Sequence, residues 1–223
     1  MISTAILIPA RWGSTRYEGK PLVDLDGKPM IKRVFDECTK SGLDTFVLTD
    51  DMRIFELFGS RYCWIDETPY NNGTERCAGA IDNGFFHKYN RFINVQGDMP
   101  DVTVDVIDMI LKGLNTYDVT TVCAKNPSRD PNCVKVDRDV KTNTAKSFTR
   151  TLLLDEHHLG VYGYSREALQ FYGTTPCAME IEHGLEQLRW MHMGTTIGCH
   201  PVDWNGIEIN TPKDANKWRR KRI

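Results

Sequence analysis

Short apolar runs alternate with longer amphipathic stretches in the first half of the chain. The apolar runs predict buried strands over Thr4 to Pro9, Thr45 to Leu48, Arg61 to Ile65 and Arg91 to Val95. Apolar residues at helical spacing predict helices over Met30 to Ser41, Asp51 to Phe58 and Thr74 to Tyr89. This order is typical of a three-layer α/β fold, in which helices cover both faces of a mostly parallel, Rossmann-like sheet.

The second half of the chain has a more mixed order. Helices are predicted over Val102 to Gly113, Arg166 to Phe171 and Met179 to Met193, with a last helix from Pro212. Strands are predicted over Asp118 to Ala124, Val134 to Val136, Ala145 to Phe148, His158 to Tyr164 and Thr195 to His200. No repeat or linker separates the halves, so residues 1–223 are expected to form a single domain with a strand-rich insertion.

The composition is that of an ordinary globular protein. Of 223 residues, 40% are hydrophobic and 26% charged, which allows a substantial core. A net charge of −2 provides no broad positive field for nucleic acid. The dense cationic run Lys217 to Arg222 is expected to close a terminal helix at its negative dipole end, and a nucleic-acid or membrane patch is the alternative.

The cysteines and the amino terminus favour a cytosolic protein. Seven cysteines are scattered without a Cys-x-x-Cys pair, which supports neither a zinc site nor a disulfide framework. The apolar run in MISTAILIPAR is too short for a signal peptide, and no basic region precedes it. No apolar stretch reaches the roughly 18–20 residues that a membrane-spanning helix needs. We therefore expect free thiols, no membrane contact and a cytoplasmic location.

A polar, glycine-rich loop follows the first strand. Its sequence GSTRYEGK, residues 13–20, approaches the P-loop pattern but places five residues between its glycines where that motif has four. Pro21 stands where the motif needs serine or threonine, and proline provides neither a hydroxyl nor a backbone donor. The loop still suits an anion, because Arg11, Arg16 and Lys20 can converge on phosphate groups. A solvated surface loop is the alternative.

Two further loops lie at the carboxyl ends of predicted strands, where such sheets bind ligands. Asp98 ends the run Gln96-Gly97-Asp98 and is placed to hold magnesium, although a turn or a helix cap is the alternative for such an aspartate. Asn72 to Arg76 opens a predicted helix whose free amides face the same edge. Together the loops describe a nucleotide site. The chain lacks Gly-x-Gly-x-x-Gly, so a dinucleotide-dependent dehydrogenase has no support.

Six segments match the motifs of one known enzyme family. The opening IPARWGSTRYEGKPLVDLDGKPMI resembles IPAR-x-x-STR-x-x-GKPL-x-D-x-x-GKPMI, NGTER at 72–76 resembles SGT(D/E)R, and INVQGDMP at 93–100 resembles VNVQGDEP. HLGVYGY at 158–164, LEQLRWMHMG at 185–194 and INTPKD at 209–214 resemble HLGIY-x-Y, LEQLR with its following glycine, and VDTPED. The family is that of the bacterial CMP-Kdo synthetases, the 3-deoxy-manno-octulosonate cytidylyltransferases. The related CMP-sialate synthetases have a different opening loop and fit less well.

The resemblance implies a Rossmann-like nucleotidyltransferase, with a nucleotide-binding half of about residues 1–115 and a sugar-acid and dimerisation half of about 116–223. It implies that CTP and a 3-deoxy-2-ulosonic acid, most naturally Kdo, react with Mg²⁺ to give a CMP-sugar acid and pyrophosphate in lipopolysaccharide biosynthesis. It also implies a homodimer. Such a transfer asks the protein to align two substrates and to neutralise the charge that builds on the phosphates.

The family pattern also implies residue roles. Catalysis would fall to Arg11, Lys20 and Asp98, and the metal to Asp98 and Asn210. The CTP-binding residues would be Ala10, Arg11, Ser14, Arg16, Lys20, Arg76 and Gln96. The sugar-binding residues would be Arg150, His158, Tyr162, Glu186 and Gln187. Taken without the resemblance, His158 would be a satisfied core histidine and Glu186 a solvated helix residue, while Trp190, Met191 and Met193 fit core or dimer contacts better than a cofactor site.

One departure from the pattern concerns the metal. Asn210 stands where the family has the aspartate of VDTPED, the expected second magnesium ligand. An amide oxygen can bind magnesium but brings no negative charge, so metal binding should weaken. Glu208 or Asp203 could compensate, or the site could use one metal.

Other departures concern the sugar half. The segment TLLLDEH, residues 151–157, is shorter than the family's arginine-containing loop, and His183 replaces a usual glutamate before LEQLR. Met99 replaces the glutamate of QGDEP. The nucleotide half thus follows the family more closely than the sugar half. Transfer to a different acidic sugar, or a non-catalytic nucleotide- or sugar-binding protein with a degenerate metal site, are the alternatives.

Overall fold

A computed structural model describes residues 3–14, 16–125, 133–151, 154–173 and 176–222. Within these residues nine strands form one sheet: β1 (Thr4–Ala10), β2 (Asp44–Thr49), β3 (Cys63–Ile65), β4 (Arg91–Val95), β5 (Val119–Lys125), β6 (Lys135–Asp139), β7 (Thr144–Thr149), β8 (Glu156–Ser165) and β9 (Ile197–Pro201). Eight α-helices accompany them: α1 (Met30–Thr39), α2 (Met52–Phe58), α3 (Gly73–Ile81), α4 (Val104–Gly113), α5 (Arg166–Tyr172), α6 (Ala178–His183), α7 (Gln187–His192) and α8 (Pro212–Lys221). Short 3₁₀ helices cover Lys20–Leu22 and Gly84–Phe86.

The strand order is β3-β2-β1-β4-β8-β5-β9-β7-β6, with a further pairing between β8 and β6. The strands β1 to β4 pair in parallel, and β5 pairs in parallel with β9. Only β7 and β8 run against the other described strands. The predicted mostly parallel sheet is therefore confirmed. The strands β5, β9, β7, β6 and β8 close on one another and form the strand-rich part of the fold.

Alternation along β1 shows how the three layers form. Ala5 and Leu7 belong to the core on the face that α3, α5 and α7 cover. Ile6 and Ile8 belong to the core on the opposite face, under α1, α2 and α4. Because successive side chains of a strand point to opposite faces, such a continuous apolar run belongs in a sheet buried on both sides.

Two predicted helices end earlier than expected. The helix predicted over Thr74 to Tyr89 stops at Ile81, because Asn83 adopts an extended conformation and its side chain accepts a hydrogen bond from Phe85 N at 3.2 Å. The helix predicted over Met179 to Met193 is broken at Gly184, which has the left-handed conformation φ 61°, ψ 38°. Glycine is the residue that adopts this conformation at least cost.

The cationic tail forms the end of α8. Thr211 and Asp214 build a reciprocal capping box at the start of this helix. At its end the guanidinium of Arg222 lies 2.8 Å from Asp101 Oδ1, which also accepts from Trp218 Nε1 at 2.8 Å. These contacts attach the carboxyl-terminal helix to the loop after β4. No helix in the described part of the chain is long and apolar enough to cross a membrane.

Candidate active site

A cavity of about 810 Å³ opens at the carboxyl ends of β1 and β4. Because β8 runs antiparallel to β4, the beginning of β8 lies at the same edge of the sheet. All the site residues that the sequence predicts line this one cavity: Ala10, Arg11, Ser14, Arg16, Lys20, Arg76, Gln96, Asp98, Arg150, His158, Tyr162, Glu186, Gln187 and Asn210. Segments more than 190 residues apart in the sequence thus meet at one site, as in the hydrogen bond from Arg16 to Asn210.

The opening loop forms one wall of the cavity and is anchored through Trp12. The backbone N–H of Trp12 donates to Asp50 Oδ1 at 2.9 Å, and the guanidinium of Arg53 stacks 3.3 Å from its ring centroid. Gly19 has φ 65°, and a Cβ there would lie 2.8 Å from the Trp12 ring. Only glycine fits this position, which lets the loop fold back and present Lys20 to the cavity.

Lys20 and Asp98 form an ion pair across the cavity floor. Their Nζ and Oδ2 atoms are 2.8 Å apart, with side chains 15% and 23% exposed. The backbone also fixes this floor, because Ile209 N donates to the carbonyl oxygen of Asp98 at 2.9 Å. Gly97 allows the close approach, since a Cβ there would lie 3.0 Å from Pro9 O. A cation and a carboxylate therefore sit beside the predicted triphosphate loop.

Asn210 and Glu208 lie at the other side of this floor. The Oδ1 atom of Asn210 accepts a hydrogen bond from the guanidinium of Arg16 at 3.0 Å. Glu208 lines the cavity, whereas Asp203 is exposed and lies outside it. Desolvation and the charge of Asp98 raise the pKa of Glu208 to about 8, against the opposing charges of Lys20 and Arg150. Of the two carboxylates that could compensate for Asn210, only Glu208 is in place.

Arg76 lines the cavity but is held by neighbouring protein groups. It is 3% exposed, and its guanidinium donates to Asp50 Oδ2 at 3.0 Å and to Asp66 O at 2.9 Å. Gln96 donates to Asn94 Oδ1 at 3.3 Å. Arg76 thus stabilises the cavity wall, because its hydrogen bonds connect α3 to the segments after β2 and β3. Its predicted contact with the nucleotide remains a prediction.

His158 is a neutral, hydrogen-bonded histidine in the cavity wall. Gln187 Nε2 lies 3.2 Å from its Nδ1, and its Nε2 lies 2.9 Å from Thr121 Oγ1. Since Thr121 Oγ1 donates to Val161 O at 2.7 Å, the ring Nε2–H donates to Thr121 and Nδ1 accepts from Gln187. Desolvation lowers the pKa of His158 to about 3. The residue therefore positions Gln187, whose buried Oε1 atom has no hydrogen-bond partner among the described residues.

Glu186 places a second buried acceptor beside Gln187. Its Oε2 atom is buried without a hydrogen-bond partner among the described residues. Desolvation raises the pKa of this carboxyl, and the hydroxyl groups of Thr74 and Tyr162 partly offset that effect. Tyr162 is 1% exposed and lies tilted against the His158 ring, with the centroids 5.3 Å apart. The predicted sugar-binding wall is thus apolar in the middle and carries two unused oxygen acceptors.

Sequence reasoning missed a buried charge cluster behind this wall. Arg189 Nε lies 2.6 Å from Glu180 Oε2, and its NH2 lies 2.7 Å from Glu75 Oε1. Glu180 lines the cavity, and Asn72 Nδ2 reaches it at 3.3 Å. Glu180 and Arg189 are nine residues apart on two different helices, and Glu75 lies 114 residues from Arg189, so no periodic pattern could have revealed the cluster.

His157 is another cavity residue that the motifs did not single out. It is 4% exposed, and its Nε2 lies 3.8 Å from Glu208 Oε1. Desolvation, with a contribution from Lys135, lowers the pKa of His157 to about 4, so the ring is neutral near pH 7. Its position next to His158 was the only available signal.

Comparison with known proteins adds an independent line of argument. The cytidylyltransferase family profile matches residues 5–197. The chain is 34% identical to the 3-deoxy-manno-octulosonate cytidylyltransferase of Parabacteroides distasonis, covering 95% of this chain and 94% of that protein. It is 33% identical to the enzyme of the same name from Pseudoalteromonas atlantica, over 95% of both chains.

Solved structures agree with these sequence relatives. CMP:2-keto-3-deoxy-manno-octonic acid synthetase complexed with CTP superposes with a TM-score of 0.86 at 31% identity, covering 99% of this chain and 98% of that one. HddC from Yersinia pseudotuberculosis, at 18% identity and a TM-score of 0.74, shares the fold. With the family profile spanning most of its length and relatives above 30% identity over nearly all of it, this chain belongs to the cytidylyltransferase family.

Proposed function

We propose that the protein transfers a cytidylyl group from CTP to the anomeric hydroxyl of a 3-deoxy-2-ulosonic acid, with Kdo as the preferred acid. The hydroxyl oxygen attacks the α-phosphorus and loses its proton, and the bond from the α-phosphorus to the bridging oxygen breaks to release pyrophosphate. The observation that carries this proposal is the single cavity that joins the cationic opening loop, Asp98 and the wall around His158. The CMP-sugar acid is an activated donor, which fits a place in lipopolysaccharide biosynthesis.

The opening loop would bind the triphosphate. Arg11 and Arg16 are exposed at the cavity and Lys20 is aimed across it. Their charges would neutralise the phosphates and the pyrophosphate that leaves. Ala10, Ser14 and Gln96 line the adjoining surface, where the nucleotide would lie. The ion pair with Asp98 holds the Lys20 ammonium in position, so less ordering is needed when CTP binds.

The floor of the cavity has a donor set that suits magnesium. Asp98 and Glu208 offer carboxylate oxygens and Asn210 an amide oxygen, and Mg²⁺ prefers oxygen ligands. The described residues contain no group of three or more His, Cys, Asp or Glu side chains that could hold a metal on their own. Magnesium bound through one or two carboxylates plus substrate phosphates fits that arrangement. When bound, it would neutralise phosphate charge and lower the pKa of the attacking hydroxyl.

The opposite wall would bind the sugar acid. Gln187 Oε1 and Glu186 Oε2 are acceptors without hydrogen-bond partners in the described structure, and they suit sugar hydroxyl groups. Arg150 lines the cavity and brings a positive charge that suits the sugar carboxylate. Tyr162 gives this wall an apolar surface against which a deoxy carbon can pack.

A pyrophosphate-release assay tests the proposal. The protein, CTP and magnesium are combined with Kdo and a panel of other 3-deoxy sugar acids, and Kdo is expected to give the highest kcat/KM. Asp98→Ala removes a carboxylate that holds Lys20, so turnover should fall at least about 10²–10³-fold. A different best acid would reassign the substrate. CTP binding without release for any acid would indicate a non-catalytic nucleotide-binding protein.

We also propose that the protein is a cytosolic homodimer. Its seven cysteines are free thiols, as a reducing compartment allows. Phe171, Met179 and Ile181 expose 69%, 49% and 69% of their surfaces in α5 and α6, where a second copy could cover them. Sedimentation velocity should give twice the chain mass of 25.5 kDa. Phe171→Asp should shift the species to the monomer, and a monomeric wild type would contradict the dimer.

A further inference from the structure

We propose that Glu208 supplies the second carboxylate for magnesium in this chain, in place of Asn210. The inference rests on the proposed magnesium-dependent transfer and concerns which residues hold the ion. On this assignment Glu208 is a metal ligand and does not merely line the cavity. Three structural observations support it.

The first observation is the alternation of the segment before α8. Ile207 and Ile209 are 9% and 0% exposed and pack with Leu25, Met30 and Trp218. Glu208 and Asn210 therefore point the other way, and both line the cavity. Residues i and i+2 of such a segment share a face, roughly 7 Å apart. A carboxylate at position 208 can thus reach the same part of the cavity floor as a carboxylate at position 210.

The second observation is that the Asn210 oxygen already accepts a hydrogen bond from a cationic side chain. Arg16 donates to Asn210 Oδ1 at 3.0 Å, and the backbone N–H of Asn210 donates to Asp214 Oδ2 at 3.1 Å. As a neutral amide, Asn210 is suited to anchoring the cationic loop and offers no charge to a divalent ion. Its role in this structure is to position Arg16.

The third observation is the state of Glu208 itself. Its carboxylate accepts no hydrogen bond from the described residues, and its Oε1 atom lies 3.8 Å from His157 Nε2. The loop that carries it is fastened to the metal-binding loop, because Ile209 N donates to Asp98 O at 2.9 Å. Two carboxylates, Asp98 and Glu208, thus share the floor of one cavity. A cation between them removes their mutual repulsion.

The test measures CTP affinity by calorimetry, without sugar acid and therefore without turnover, in magnesium and in EDTA. The ratio of the two affinities reports the coupling between metal and nucleotide. Glu208→Gln should reduce this ratio at least about tenfold. In EDTA the same variant should bind CTP about as tightly as wild type, because Glu208 then has no cation to coordinate. A variant that is merely damaged would bind more weakly in both solutions.

Two further variants complete the test. Asp203→Asn changes an exposed carboxylate of the same segment and should leave the ratio unchanged. Glu208→Gln combined with Asn210→Asp returns a carboxylate to this face and should restore most of the ratio. If Glu208→Gln keeps the wild-type ratio, the assignment of Glu208 is wrong while magnesium dependence stands. If wild type itself shows no effect of magnesium, the metal in the proposed function fails together with this inference.

Discussion

At the scale of single residues, the cavity combines groups that burial keeps neutral with groups that remain charged. His158 is neutral because desolvation lowers its pKa to about 3, and its two ring nitrogens are occupied by Thr121 and Gln187. Lys20 and Asp98 form an ion pair at the partly exposed floor of the cavity. This separation of charged from neutral groups fits the proposed function. Phosphates require charged partners, whereas sugar hydroxyls require fixed, uncharged hydrogen-bonding partners.

The low pKa of His158 predicts a loss of stability in acid. The unfolded chain takes up a proton on this ring near pH 6.5, but the folded protein does so only near pH 3. The contribution of His158 is therefore full above pH 6.5 and falls with decreasing pH, by about 1.4 kcal/mol per pH unit once below that value. The stability advantage of wild type over His158→Asn should shrink by about 2 kcal/mol between pH 7.5 and pH 5.

Urea denaturation at a series of pH values measures this difference. Comparing wild type with the variant cancels the carboxyl groups, which titrate in both proteins. His158→Gln should give the same slope, since neither side chain titrates, even if the two variants differ in packing. A constant difference across this pH range would mean that His158 is protonated normally in the folded protein.

The site was predictable at the residue scale wherever a motif marks a loop. All the residues taken from the motifs line the cavity, from Arg11 in the opening loop to Asn210 before the last helix. The roles of Arg76 and His158 were less accessible, because their partners Asp50 and Thr121 lie on other strands or loops. A sequence pattern also does not show which buried oxygen atoms lack a hydrogen-bond partner, because this depends on neighbours in the folded structure.

At the scale of elements, the break at Gly184 has the clearest functional consequence. Gly184 lines the cavity between α6 and α7, and the turn brings Glu186 and Gln187 to the wall. A continuous helix over Met179 to Met193, as the apolar spacing predicts, would place these side chains differently. The periodicity continues through the break, so only the glycine itself signals it.

Gly184→Ala should therefore weaken sugar-acid binding. Its left-handed conformation costs alanine on the order of 1 kcal/mol, although a Cβ would meet nothing within 4 Å. We expect the turn to shift, with KM for the sugar acid rising about fivefold and CTP affinity changing less than about twofold. Steady-state kinetics with each substrate varied in turn measures both values.

Gly194→Ala is the matched control for this variant. Gly194 also has positive φ, at 77°, with open space around a Cβ, but it lies outside the cavity. It should lose similar stability and keep the wild-type KM for the sugar acid. Equal effects of the two substitutions on KM would show that the Gly184 turn does not position the sugar-binding wall.

At the scale of the whole molecule, the sheet explains why the two halves share one site. Strands β1 and β4 end at the cavity, and the antiparallel strand β8 begins there. Apolar runs predicted every one of these strands, but a run of apolar residues carries no information about direction. The reversed course of β8, which brings His158 to the phosphate-binding edge, was therefore accessible only from the folded structure.

The ion pairs of Arg189 provide a buried charged link between the two parts of the chain. Its guanidinium joins Glu75 on α3, in the first half of the chain, to Glu180 on α6, in the second half. The three side chains are 2%, 2% and 8% exposed. Removing one partner of a buried ion pair leaves an uncompensated charge in the interior, which costs about 3–5 kcal/mol. We expect Arg189→Met to lose this amount in urea denaturation.

Additional substitutions separate the effect of the unpaired carboxylates on stability from the effect of lost packing. Adding Glu75→Gln and Glu180→Gln to Arg189→Met removes the stranded carboxylates and should recover much of the stability, because the penalty belongs to the unpaired charges. Arg222→Met breaks the pair with Asp101, in which the arginine is 48% exposed, and should cost no more than about 1 kcal/mol. If Arg189→Met cost no more than Arg222→Met, the two halves would be joined by the continuous sheet and its apolar core, and the buried charges would serve only to shape the sugar-binding wall.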